Sequence, residues 1–214
     1  MPAVTETQIA NLALGFLDDT RINNIDEDTE PARLCRLHIG HAKRELLEMY
    51  PWTIARRLER LTPGQAQEGR EWNPFIVRDD RDIMRVVELR RTPQNNDLIL
   101  RYERHGNVIW TYEREVWLVY VKNILINEMT PLMQQALAWF LASKISQGVG
   151  ERSAVTYVYQ MAMNSISEAW TSDCHQHYSG ENYPDFVPHI ELIQARQFGG
   201  TFDSDPRYLP ITGQ

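Results

Sequence analysis

The feature that most constrains this chain is a change of hydrophobic period. Apolar residues recur at helical spacing up to Met49, then every second residue between Trp52 and Val121, then at helical spacing again. A helical pattern cannot lie flat as a strand, nor a period-two pattern wrap into a helix. The expected plan is therefore helices, a β-rich insertion, and helices again.

In the first part, Ile9, Leu12, Ala13, Phe16 and Leu17 make one apolar stripe, with Thr5 or Thr7 near its cap. Residues Asp18 to Glu30 carry six acidic side chains against Arg21 alone, and read as loop. Asp28-Thr29, with Pro31 in the first turn, opens a second helix bearing Cys35, Ile39, Ala42, Leu46 and Met49 on one face. Tyr50-Pro51 stops it, because Pro disfavours helix in the residue before it.

In the insertion, Ile83 to Leu89 reads as a strand. Leu98, Leu100 and Tyr102 alternate with their neighbours, and His105-Gly106-Asn107 turns the chain into Val108, Trp110 and Tyr112. Glu115 to Val121 reads as a further strand. The region holds twelve of the nineteen arginines but also eleven acidic residues, the balance of a solvated sheet face.

Thr130-Pro131 starts the third helix. Its run Ala136 to Ala142 is apolar nearly all round and predicts the most buried helix. The fourth places Val155, Val158, Tyr159, Ala162, Ile166, Ala169 and Trp170 on one face. The expected fold is mainly α: a four-helix bundle of residues 1–51 and 130–174, with a small β-sheet or hairpin insertion at 52–129. Residues 175–214 hold four Gly, four Pro and six aromatics, which predicts an extended arm that orders on assembly.

Composition narrows the function. No apolar run approaches the ~20 residues that cross a bilayer, and no secretory signal is visible after Met1. Two cysteines make no disulfide framework. The net charge of -7 is the wrong sign for a protein that grips nucleic acid. Only three of the 22 basic residues are lysines, and arginine is the cation favoured in interfaces.

No catalytic constellation emerges. Cys35, His38 and His41 share a helix, and Cys174, His175 and His177 cluster at its counterpart's end, but neither set has the spacing of a zinc site. Gly148-Val149-Gly150 and Gly199-Gly200 lack the lysine and strand context of a phosphate loop. Glu45 and Glu48 could serve as acid and base, yet Lys43 and Arg44 beside them mark a solvated face. No cofactor, metal or catalytic residue is expected.

Certain residues carry a resemblance. Ala10 to Gly15, the acidic loop, the helix Ala32 to Tyr50, and Pro51-Trp52-Thr53-Ile54-Ala55-Arg56-Arg57 are similar to the head-to-tail adaptor proteins of short-tailed phages, the tail tubular protein A family. Asp82 to Leu89 resembles that family's strand after an aromatic, Pro-containing loop, here Trp72-Asn73-Pro74-Phe75. Pro131 to Ala142 and the helix ending at Ala169-Trp170 resemble its last two helices.

The resemblance implies a structural virion protein, assembled in the host cytoplasm. It would form a ring of about twelve copies between the portal and the tail nozzle, with duplex DNA passing through unbound. It also implies contacts with portal, nozzle and neighbouring copies through Arg78, Arg81, Arg101 and Arg104 of the insertion and Tyr183, Phe186, Phe198, Phe202 and Tyr208 of the arm. Two other readings stay open: a head-completion connector of a long-tailed phage, and a carboxylate-dependent hydrolase.

Overall fold

The structure, a computed structural model, describes residues 4–65, 69, 71–78, 82–94, 97–149 and 152–177. Contacts divide the chain into Met1–His177 and Tyr178–Gln214, and all described residues lie in the first unit.

Among the described residues, four α-helices form where the apolar spacing places them: α1 (Glu6–Gly15), α2 (Glu30–Met49), α3 (Pro131–Val149) and α4 (Arg152–His177). Thr5 caps α1 through a capping box, its side chain accepting from Gln8 N–H while the Gln8 side chain accepts from Thr5 N–H. The buried face of α1 is Ile9, Ala10, Ala13 and Leu14; Leu12, assigned to the stripe by spacing, is 48% exposed. Among the described residues, seven strands fall between α2 and α3: β1 (Arg56–Arg60), β2 (Thr62–Pro63), β3 (Asn73–Ile76), β4 (Ile83–Arg90), β5 (Glu103–His105), β6 (Val108–Thr111) and β7 (Trp117–Lys122).

The four-helix bundle is not what forms. About 47% of the described residues are helix and about 21% strand, in two antiparallel sheets, so the fold is α with a substantial β layer. The physical reason lies in α2. One flank packs on α1 and α3, while another packs on β4 and β7, the slot a further helix would fill in a closed bundle. Helix α3 is the hub, with α1, α2 and α4 all against it, which is why it is apolar nearly all round.

The sheets run β1-β7-β4 and β2-β3-β6-β5. They are joined at both sides. Leu61 links β1 directly to β2, and residues Asp97–Ile99 bond to the edge of β4 before running on into β5. Between them lies one core of Leu61, Phe75, Val77, Leu89, Ile99, Ile109, Val116, Leu118 and Tyr120. The stretch around Trp72-Asn73-Pro74-Phe75, expected as loop, is largely strand β3, with Phe75 only 1% exposed; Pro74 hid it, since Pro is rare inside sheets. The β5–β6 hairpin turns at Gly106-Asn107 as its sequence predicts, with Gly106 at φ 58°.

Strand β7 is buried on both faces. Leu118 and Tyr120 enter the β core; Val119 and Val121 face away from it. Arg85 is paired across the ladder with Val121 and so shares that second face. Its guanidinium donates to the backbone oxygens of Glu48 (3.2 Å) and Met49 (2.8 Å), the last carbonyls of α2. An arginine on the sheet thus caps the helix, and fixes the sheet at the C-terminal end of α2.

At the other end of α2, the acidic loop is held down rather than free. The Asn11 side chain donates to Ile22 O and accepts from Ile22 N–H, both at 2.8 Å, as a second backbone would. Ile22 and Ile25 are buried beneath. Replacing Asn11 with alanine leaves both Ile22 groups without protein partners. The expected cost is about 1–2 kcal/mol, with faster amide exchange confined to residues near Ile22. Global loss of protection instead would mean that the loop unfolds only with the whole domain.

Candidate interaction surface

The chemistry-bearing residues singled out by spacing do not converge. Cys35 is fully buried in the helical core, whereas His41 on the same helix is exposed and His38 half-buried. Cys174 is buried and His175 exposed. Among the described residues, no three His, Cys, Asp or Glu side chains gather as metal ligands would. Glu45 is engaged by Lys144 Nζ at 2.6 Å, and both Glu45 and Glu48 are exposed. No helix among the described residues is long and apolar enough to cross a membrane.

Burial raises both thiols. It pushes Cys35 up to about 11, with the Asp19 charge adding to it; Cys174 also rises to about 11, by burial and then by Asp173. A raised native value favours folding as long as the unfolded thiol is protonated. That contribution is complete below about pH 9 and is lost as pH climbs towards about 11. Native protein at pH 8 is therefore expected to resist a thiol reagent such as Ellman's, and both cysteines to react at once on unfolding in urea. Rapid native labelling of either would contradict the burial.

What the structure does assemble is a surface on the second sheet. Residues 97–102 pass from the edge of β4 towards β5 with Ile99 inside and its neighbours outside. Leu100 is 86% exposed, and Leu98 and Tyr102 are exposed as well. The Thr111 hydroxyl donates to Arg101 O (3.1 Å), which brings in the exposed Tyr112, whose ring lies 4.9 Å from that of Trp72. Strand β5 borders this patch as an edge strand, exposed at all three residues. Exposed apolar side chains beside an open edge strand suit packing by another protein.

Arginines frame the patch. Arg101 lies within it, and Arg114 follows Tyr112 by two residues; both are exposed. The β5–β6 turn receives bonds from the residue before Arg78 and from Arg104. Val77 N–H donates to Asn107 O, and Arg104 Nε donates to Gly106 O. Arg91 is engaged instead, bonded to Glu113 and Asp97, which hold its pKa above the usual value. Of the candidate interface residues, Arg104 lies in β5, while Arg78 and Arg101 lie two residues outside β3 and β5; Arg81, Tyr183, Phe186, Phe198, Phe202 and Tyr208 lie outside the described residues. The aromatic and leucine part of the surface was missed by spacing. Its signal was Leu98-Ile99-Leu100, three consecutive apolar residues where a half-buried strand needs two of every four.

No protein-family model matches this chain, and no curated protein matches it either.

Proposed function

We propose that this chain is a structural virion protein: the adaptor that joins the portal of a short-tailed phage to the tail nozzle. In this reading about twelve copies form a ring, and duplex DNA passes through its channel. The protein is not an enzyme and needs no cofactor. The observation that carries the reading is the exposed leucine–tyrosine–arginine surface on the second sheet, which suits lasting protein contacts more than turnover of a small substrate. The helix–strand–helix order and the buried tryptophan directly after α2 are in keeping with the resemblance. Electron microscopy of the purified protein mixed with its cognate portal is the test. A ring seated on the portal is expected; free portal beside free chain would overturn the assignment, as would carboxylate-dependent turnover of peptidoglycan.

The acidic balance adds a separate expectation. With a net charge of -7, the protein should not retain duplex DNA at ~0.15 M salt, where the Debye length is ~8 Å. A gel shift with submicromolar affinity and a steep salt slope would make it a DNA-binding protein instead.

A further inference from the structure

We draw no further inference here: the strongest candidate, the exposed and uncharged face of α4 around Tyr157, Gln160 and Asn164, has the composition of a contact surface, but nothing in the structure shows what covers it.

Discussion

Replacing Trp52 with alanine is expected to destabilise the fold by about 3–5 kcal/mol, the range for emptying a large buried aromatic site. Trp52 has no exposed surface and stands edge-on to Tyr50 and Trp170, with centroids 5.7 Å away in each case. Its indole N–H donates to Leu46 O at 2.7 Å. That carbonyl belongs to the last turn of α2, where Tyr50-Pro51 ends the ladder of helical donors. Alanine would therefore open a cavity and uncap the helix together. Domains are typically stable by only about 5–15 kcal/mol, so much of the margin would go. Phenylalanine separates the two effects: it keeps most of the ring and loses only the bond, for about 1–2 kcal/mol. Urea unfolding monitored by circular dichroism measures both, as a fall in midpoint at constant slope. Equal losses for the two variants would mean that the bond, not the packing, holds this junction.

Much of the plan was legible because it rests on local rules. Pro31, the Tyr50-Pro51 stop, the Gly106 turn and the unbroken apolar run of α3 each act within a few residues, and each element appears where they put it. The arrangement of those elements was not legible, because what decides it is which flank of α2 meets which neighbour. A helix with apolar residues on two flanks reads the same whether a helix or a sheet covers the second. Long-range contacts reveal the sheet, such as the cap of Arg85 on Glu48 and Met49 across 37 and 36 residues of sequence. Likewise, β3 was hidden by Pro74, and β2 is two residues long, too short for any period. At the candidate surface the arginines stood out by their number; of the four singled out, Arg104 lies in β5 while Arg78 and Arg101 lie in the segments next to β3 and β5. The leucines and tyrosines beside them were unreadable, since a period-two pattern does not say which face is covered.

A long-range tie through Asp173 went unseen for the same reason, and it supplies the second large effect. The Asp173 carboxylate, near the end of α4 and only 5% exposed, accepts from Thr53 N–H at 2.9 Å and from the Thr53 hydroxyl at 2.8 Å. The two residues are 120 apart in sequence. This pair fixes the single turn Thr53–Ala55 against α4, at the point where the chain leaves the helices for β1. Asp173→Ala removes a charged acceptor and strands two donors, each worth about 1–3 kcal/mol when left without a partner away from water. A loss of about 2–5 kcal/mol is expected. Thr53→Val should cost less, because the backbone N–H keeps its carboxylate. In a double-mutant cycle the two changes together should then cost less than their sum, since they break a shared interaction. Amide exchange at Thr53 gives the sharper reading. It should accelerate well beyond the global change in Asp173→Ala and stay protected in Thr53→Val. Protection retained in Asp173→Ala would show that a group other than the Asp173 carboxylate holds the turn.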